Sequence, residues 1–246
     1  MPNRGARWHP EPVRSPPEVR PESVRSRPYG GRAGAVPRPY GGRPVVPCRV
    51  VADWWGWQDH GVNSDEARPF PYRRVMVYGV TGSGKTTAAA RLAGRTGLPW
   101  WAIDELTWEP DWQPVPPQEQ RRRVSEICAG ERWIIDHGYG QWLDIPLERA
   151  DLIVALDHPR LVSLASLVVR SVRNVLTGAA TCNGNRETWR TLVADDSIVR
   201  WHFRSFARKR RRIRSWLVDS PGPDVLRFTS RRELSQWLRT QGRAAS

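Results

Sequence analysis

The chain has 246 residues and a formal net charge of +14, because 39 lysine and arginine residues outnumber 25 acidic ones. Only Lys85 and Lys209 are lysines, so 37 of the 39 basic residues are arginine. The longest apolar run, residues 161–169, is far shorter than the ~20 residues of a membrane-spanning helix, and the N-terminal sequence lacks the apolar segment of a secretory signal. Three distant cysteines form neither a disulfide framework nor a CxxC metal pair, so we expect a cytoplasmic protein with no membrane segment.

Residues 1–72 differ in composition from the rest of the chain. They hold 13 of the 22 prolines and 8 of the 20 glycines, and the hexapeptide RPYGGR occurs twice in them. Such a segment buries too little apolar surface to offset its ordering entropy, so we predict a disordered, basic N-terminal extension. The extension either contacts nucleic acid or a protein partner, or it is dispensable.

Residues 73–246 alternate between strand and helix patterns. The predicted strands are residues 73–79, 99–104, 132–136, 151–157 and 224–228. The predicted helices are residues 85–95, 117–130, 159–176, 197–217 and 230–239, the last with Ser230 as N-cap and Glu233 completing a capping box. Five apolar strands separated by helices predict an α/β fold, a three-layer sandwich in which a five-stranded parallel sheet is covered on both faces.

A phosphate-binding loop follows the first predicted strand. The eight residues GVTGSGKT match the pattern GxxxxGK[ST], with an apolar strand before them and a helix after them. Glycines let successive backbone N–H groups surround a phosphate, Lys85 reaches the β- and γ-phosphates, and the Thr86 hydroxyl coordinates Mg²⁺. We therefore predict ATP and Mg²⁺ as ligands. The predicted ATP-binding residues of this loop are Gly79, Val80, Thr81, Gly82, Ser83, Gly84, Lys85, Thr86 and Thr87.

Three longer segments carry a family resemblance: RVMVYGVTGSGKTTAAARLA, AIDELTWEPDWQPVP and RWIIDHGYGQWLDIPLERADLIVALDHPR. In this order they resemble the P-loop nucleotide-kinase superfamily, in particular its adenylate-kinase-like branch of topology-modulation proteins. The resemblance covers nearly all of residues 73–240 and none of residues 1–72. It implies a five-stranded parallel sheet and ATP-dependent phosphoryl transfer to a nucleotide or another small-molecule acceptor, whose identity it leaves open.

Two acidic residues follow predicted strands that lead into the site. Asp136 ends a strand that lies beside the P-loop strand in this family, where a carboxylate can hold Mg²⁺, although it could also cap the turn that follows. Asp104 ends the second predicted strand and faces the crevice at the carboxyl ends of the strands. There it can orient an acceptor hydroxyl or take its proton, unless it is a solvated loop residue. Its neighbour Glu105 is the lesser candidate.

Arginines and a lid complete the predicted site. Arg170 lies on the helix where such kinases place an arginine that stabilises the transferring phosphoryl group, but Ser166 replaces the arginine usual in the family nine residues after Asp157. Residues 177–196 are rich in Gly and Asn and predict a lid, with Arg186 as a contact to ATP. Arg200 is a further predicted contact. It begins a basic stripe on the helix that follows the lid, formed by Arg200, Arg204, Arg208 and Arg211.

The aromatic residues near the predicted site have two interpretations. Trp108 and Trp112, in a proline-rich segment, could stack on a base or sugar, and Tyr139 and Trp142 could complete an acceptor wall. Alternatively, the tryptophans are structural wedges.

A competing hypothesis concerns the whole protein. Under this hypothesis, the protein is a nucleic-acid-associated ATPase or DNA-topology modulator that uses the basic helix 197–217 and the extension. The sequence leaves the oligomeric state open.

Overall fold

A computed structural model describes residues 68–194, 197–219 and 222–244. The strands are β1 (Arg68–Phe70), β2 (Arg74–Gly79), β3 (Trp100–Ala102), β4 (Trp108–Glu109), β5 (Gln113–Pro114), β6 (Trp133–His137), β7 (Leu152–Leu156), β8 (Asp224–Phe228) and β9 (Gln241–Ala244). The helices are α1 (Lys85–Thr96), α2 (Ile103–Thr107), α3 (Pro117–Cys128), α4 (Asp144–Arg149), α5 (Arg160–Thr177), α6 (Trp189–Val193), α7 (Ile198–Val218) and α8 (Arg231–Arg239). Residues 1–67 of the predicted extension lie outside the described residues.

The main sheet has five parallel strands in the order β3-β6-β2-β7-β8. This confirms the predicted α/β fold class and the expected position of β6 beside the P-loop strand β2. Val77 in β2 lies opposite Asp136 in β6, and Gly79 lies opposite Leu156 in β7. The carboxyl ends of the three central strands therefore meet at one edge, where the loop after β2 begins.

Alternation along the strands divides the core between the two faces of the sheet. Val75 and Val77 pack with buried residues of α1 and α8, including Leu92 and Leu234. On the other face, Tyr78 packs against Trp216 of α7, with ring centroids 4.8 Å apart, and α4 also contacts β2. The sheet is thus covered by helices on both faces, as its continuous apolar strands require.

Helix ends agree closely with the local sequence signals. Ser230 caps α8 by accepting a hydrogen bond from the Glu233 backbone N–H, while the Glu233 side chain accepts from the backbone of Ser230. Gly178 ends α5 with a φ of 61°, a left-handed conformation that favours glycine. Within the described residues, no helix combines the length and apolarity needed to cross a lipid bilayer.

The folded domain begins earlier than the predicted boundary at residue 73. Strand β1 lies within the segment assigned to the extension, and it pairs with β9 in a small parallel sheet. Phe70 is only 1% exposed and packs edge-on against Tyr72 and Trp237, at centroid distances of 5.5 and 6.4 Å. The proline-rich composition of residues 1–72 therefore conceals a short segment that belongs to the core.

The region after the second predicted strand also differs from the prediction. Strand β3 ends at Ala102, so Asp104 lies in the first turn of α2 instead of ending a strand. The proline-rich segment forms the hairpin β4–β5, whose turn has positive φ angles at Asp111 and Trp112. These features depend on contacts with the predicted lid region, and local sequence propensity cannot predict such long-range contacts.

Replacing Phe70 with alanine should lower the free energy of unfolding by about 3–5 kcal/mol, because it empties a buried aromatic site. Phe203→Ala is the matched control, since Phe203 is 49% exposed and its loss should cost about 1 kcal/mol or less. Urea unfolding of both variants measures the difference. Equal losses in the two variants would show that β1 does not contribute to the core.

Candidate active site

The loop between β2 and α1 is shaped by two glycines in left-handed conformations. Gly82 has a φ of 79° and Gly84 a φ of 89°. A Cβ on Gly82 would lie 2.3 Å from the backbone oxygen of Ser163 and 2.9 Å from the Leu167 Cβ, both in α5. Only glycine fits there, so α5 packs directly against the backbone of the loop.

Helix α7 contacts the same loop through two side chains that lie seven residues apart on one helix face. His202 Nδ1 donates to the backbone oxygen of Thr81 at 3.0 Å, and Lys209 Nζ donates to that of Gly79 at 3.5 Å. Both residues are buried. The carbonyl groups of the loop are therefore held by α7.

Lys85, the first residue of α1, donates from Nζ to the backbone oxygen of Val80 at 3.1 Å. Burial lowers the pKa of the Lys85 ammonium, and the nearby charges of Asp104 and Asp136 act in the opposite direction. The charge of Arg170 lowers the pKa further. Lys85 therefore lies in a confined space, close to both predicted carboxylates.

Asp136 is buried in β6 beside the loop. Its Oδ1 accepts a hydrogen bond from the Ile103 backbone N–H at 2.8 Å, and the Thr86 side chain also bonds to this carboxyl group. Burial, followed by the charge of Asp104, raises the pKa of Asp136 to about 7. A carboxyl group in this state is only partly ionised near neutral pH, and a cation bound beside it would favour the ionised form.

The donor set formed by Thr86 and Asp136 fits Mg²⁺. A hydroxyl and a carboxylate are oxygen ligands of the kind Mg²⁺ prefers, and this ion usually keeps several water or phosphate ligands besides. In the described part of the chain, no group of three or more His, Cys, Asp or Glu residues could hold a metal. Thr86 and Asp136 would supply two of the ligands.

Asp104 lies at the mouth of the site, where Tyr139 fixes its carboxylate. Tyr139 Oη donates to Asp104 Oδ1 at 2.8 Å and accepts from Trp108 Nε1 at 3.1 Å and Thr107 Oγ1 at 3.2 Å. Burial and the charge of Asp104 raise the pKa of Tyr139 well above its ordinary value, so this phenol stays protonated. Asp104 is thus an oriented carboxylate and not a freely moving loop residue.

The predicted lid region is attached to the β4–β5 hairpin by two asparagines, Asn183 and Asn185, which we call the asparagine clamp. Asn183 Nδ2 donates to the backbone oxygens of Glu105, at 2.7 Å, and of Trp108. Asn185 Oδ1 accepts from the Trp112 backbone N–H at 2.7 Å, and its Nδ2 donates to the Glu109 backbone oxygen at 3.0 Å. The clamp fixes the lid region against the segment that carries Asp104.

The aromatic residues have structural contacts. Trp112 Nε1 donates to the backbone oxygen of Arg186 at 3.1 Å, and the Trp108 indole is bonded to Tyr139. Trp142 is 1% exposed and donates to Gln120 Oε1 at 3.2 Å. These contacts favour the interpretation of the tryptophans as structural wedges.

The predicted arginines lie in different environments. Arg170 is half-buried on α5, and its Nε is buried with no hydrogen-bond partner among the described residues. Arg186 is exposed, and its Nη1 lies 3.5 Å from the position of a Cβ on Gly178, at the end of α5. The basic stripe, which begins at Arg200, is exposed along α7. The charge of Arg170 acts on Lys85, so the structure brings these two residues close together.

Sequence reasoning missed Lys209 and His202. Lys209 lies within the run RKRRR of the basic helix 197–217, which the competing hypothesis uses to bind nucleic acid. The buried face of α7 comprises His202, Ser205, Phe206, Lys209 and Ile213. Its spacing of three and four residues is the signal that could have separated Lys209 from the arginines around it. A third omission is Arg231, which donates to Ser166 Oγ, so a guanidinium lies beside the residue that stands where the resemblance predicts an arginine.

No protein-family model and no curated protein matches the chain. Solved structures with a similar backbone include a sugar kinase from a Janibacter species, with 18% identity and a TM-score of 0.41 over 68% of this chain and 91% of that chain. A gluconokinase from Sinorhizobium meliloti has 16% identity and a TM-score of 0.41 over 70% of this chain and 90% of its own. A shikimate kinase from Bacteroides thetaiotaomicron has 14% identity and a TM-score of 0.43 over 68% and 95% of the two chains.

Without nucleotide or Mg²⁺, Asp136→Asn should stabilise the protein at pH 8. The folded-state pKa of about 7 lies above the unfolded value of 3.8, so the wild-type protein loses stability as the pH rises from 4 through 7. Relative to the wild-type protein, the free energy of unfolding of the variant should be higher by on the order of 2–4 kcal/mol at pH 8 and unchanged near pH 4, as measured by urea unfolding.

Asp144→Asn is the matched control. Asp144 pairs with Arg121 on the surface, and this partner lowers the pKa of its carboxyl group. Its replacement should not stabilise the protein at any pH. An Asp136→Asn variant that is no more stable than wild type at pH 8 would contradict the raised pKa.

Proposed function

We propose that this protein is an ATP-dependent phosphotransferase that acts on a small molecule with a hydroxyl or phosphate acceptor group. The observation that carries the proposal is the convergence of four side chains at the loop after β2: Lys85, Thr86, Asp104 and Asp136. A P-loop alone indicates only nucleotide binding. An oriented acceptor-side carboxylate beside it adds what phosphoryl transfer requires.

The phosphate side of the site has three assigned residues. The Lys85 ammonium binds the β- and γ-phosphates of ATP and attracts the charge that develops during transfer. Thr86 and Asp136 would hold Mg²⁺, which when bound neutralises charge on the phosphate oxygens. Because the pKa of Asp136 is raised to about 7, its ionisation is coupled to the binding of a cation.

Asp104 has the acceptor-side role. The acceptor oxygen forms a bond to the γ-phosphorus while the bond from that phosphorus to the bridging oxygen of ADP breaks. The acceptor proton passes to the Asp104 carboxylate. Tyr139 keeps this carboxylate aimed by donating to one of its oxygens, at 2.8 Å, which leaves the other oxygen for the acceptor.

Arg170 and the lid region assist this reaction. The buried Nε of Arg170 has no partner among the described residues, and its charge acts on Lys85, which suits a guanidinium that stabilises the transferring group. The asparagine clamp bonds the predicted lid region to the segment with Asp104, and closure of this region over a bound acceptor would exclude water from it. Exclusion of water favours transfer over hydrolysis.

The experiment that tests the function is a screen of nucleotides, sugars and other hydroxyl or phosphate acceptors with γ-labelled ATP. We expect Mg²⁺-dependent transfer of label to one class of acceptor. Lys85→Met should reduce transfer at least about 100-fold while the melting temperature stays close to that of wild type. Transfer by folded Lys85→Met at the wild-type rate would refute the site.

Asp104→Asn should reduce the transfer rate by about 10²–10⁴-fold, while Mg·ATP binding stays within a few-fold, because Asp104 acts on the acceptor and not on ATP. Glu105→Gln is the matched control, since this neighbouring carboxylate has no assigned role. Rates and calorimetric affinities of both variants separate the two sides of the site. Loss of Mg·ATP binding in Asp104→Asn would move Asp104 to the metal side.

A second candidate function is supported by the exposed basic stripe on α7. Its four arginines are exposed, unlike Lys209, and could follow a nucleic-acid backbone. DNA-stimulated ATP hydrolysis without transfer to a small acceptor would favour this function. Substituting Arg204 and Arg208 should then abolish the stimulation and leave basal hydrolysis unchanged.

A further inference from the structure

The only two lysines of the chain meet at one point in the fold. A Cβ built on Gly138 would lie 3.3 Å from Lys209 Nζ and 3.8 Å from Lys85 Nζ. The two residues are 124 positions apart and come from α7 and α1. Among 39 basic residues, the two with an ammonium group therefore share one small space.

The Lys209 ammonium is buried in surroundings that stabilise its charge poorly. It is 4% exposed, and its hydrogen bond to the Gly79 backbone oxygen is long, at 3.5 Å. The nearby charges of Lys85, Arg208 and Arg212 repel its ammonium, and that of Asp104 attracts it. Burial lowers the pKa of Lys209 well below its ordinary value. A buried cation with more positive than negative neighbours is unfavourable unless an anion binds beside it.

The position of Lys209 indicates which part of an anion it would contact. It bonds to the first residue of the phosphate-binding loop, and it lies within the field of Asp104, which also acts on Lys85. The Asp104 carboxylate is already held by Tyr139. Lys209 is thus placed between the loop and the acceptor side, where the terminal phosphate of a triphosphate would lie.

We propose that Lys209 and Lys85 form a single anion site, here called the lysine pair, that binds the terminal phosphoryl group of a nucleoside triphosphate. The proposal rests on the proposed function, because it deepens the account of the same site. Lys85 binds both the β- and γ-phosphates, whereas Lys209 binds the γ-phosphoryl group alone.

The use of lysine at position 209 in a helix full of arginine follows from space. The Nζ is close to the backbone of both Gly79 and Gly138. A compact ammonium fits between two backbone segments, whereas a planar guanidinium needs more width. Arg208 and Arg210 beside it serve elsewhere: Arg208 stacks on Trp201, and Arg210 pairs with Asp157.

The test compares Lys209→Met with Arg208→Met, which removes an equal charge from the exposed face of the same helix. Calorimetry measures the binding of Mg·ADP and of the β,γ-imido analogue of ATP. Lys209→Met should weaken analogue binding by roughly tenfold or more, the effect of losing a charge-assisted hydrogen bond, and change ADP binding by less than about threefold. Arg208→Met should change neither affinity beyond about twofold.

The melting temperature of Lys209→Met distinguishes a ligand-binding lysine from a purely structural one, because the two predict changes of opposite sign. Methionine has nearly the length of lysine and no charge, so Lys209→Met should raise the melting temperature of the nucleotide-free protein. If Lys209 had only a structural role, its replacement would remove stabilising contacts and lower the melting temperature. Gain of stability together with loss of analogue affinity is the expected signature of a ligand-binding residue.

Nuclear magnetic resonance can observe the lysine pair directly. Protein labelled with [ε-¹³C]lysine gives two lysine cross-peaks, because the chain has only two lysines, and Lys209→Met assigns them. The imido analogue should shift both cross-peaks. Mg·ADP should shift mainly that of Lys85.

The outcomes separate the inference from the proposed function. If Lys85→Met weakens analogue binding and Lys209→Met does not, the lysine pair is refuted and the function stands. If neither variant weakens analogue binding, the lysine pair and the proposed function are both refuted. If Lys209→Met lowers the melting temperature and weakens both nucleotides equally, Lys209 is structural and the inference is wrong.

Discussion

The backbone loop after β2 has no room for a side chain at its tightest point, and the arrangement of the surrounding elements depends on this constraint. Because a Cβ on Gly82 would lie 2.3 Å from the Ser163 carbonyl oxygen, α5 can pack directly on the loop. Helix α7 then binds the carbonyls of Thr81 and Gly79 from its own buried face. The sheet order places Asp136 in the adjacent strand, so β6, α5 and α7 all meet at this loop.

Buried charge is distributed unevenly around this loop. Asp157, whose side chain is 2% exposed, is fully paired: Arg210 lies 3.1 Å away and Arg227 2.7 Å away, and these pairs join α7 and β8 to the end of β7. Lys209, the neighbour of Arg210 in α7, has no carboxylate bonded to it among the described residues. One turn of helix thus carries an arginine in an ion pair and a buried lysine without a bonded carboxylate.

The parts of the site that the sequence predicts are those encoded by short segments. The strand, glycine loop and helix around Lys85 are contiguous, and Asp136 lies near the end of an apolar strand whose place beside β2 follows from the family resemblance. The rest requires contacts between distant segments. Phe70 enters the core only because β1 pairs with β9, and Asn185 matters only because its amide meets the β4–β5 hairpin. Lys209 was concealed by composition, since five consecutive basic residues look like a surface.

One residue of the asparagine clamp is prone to slow deamidation. Asn183 is exposed and is followed by Gly184, the sequence in which an asparagine side chain most readily cyclises onto the next backbone nitrogen and then hydrolyses to aspartate or isoaspartate. The product would turn a carboxylate toward the carbonyl oxygens of Glu105 and Trp108, which now accept hydrogen bonds from the amide. Deamidation at this one residue would therefore convert two attractive contacts into repulsive ones, and aged protein would differ from fresh protein in how residues 177–196 attach to the β4–β5 hairpin.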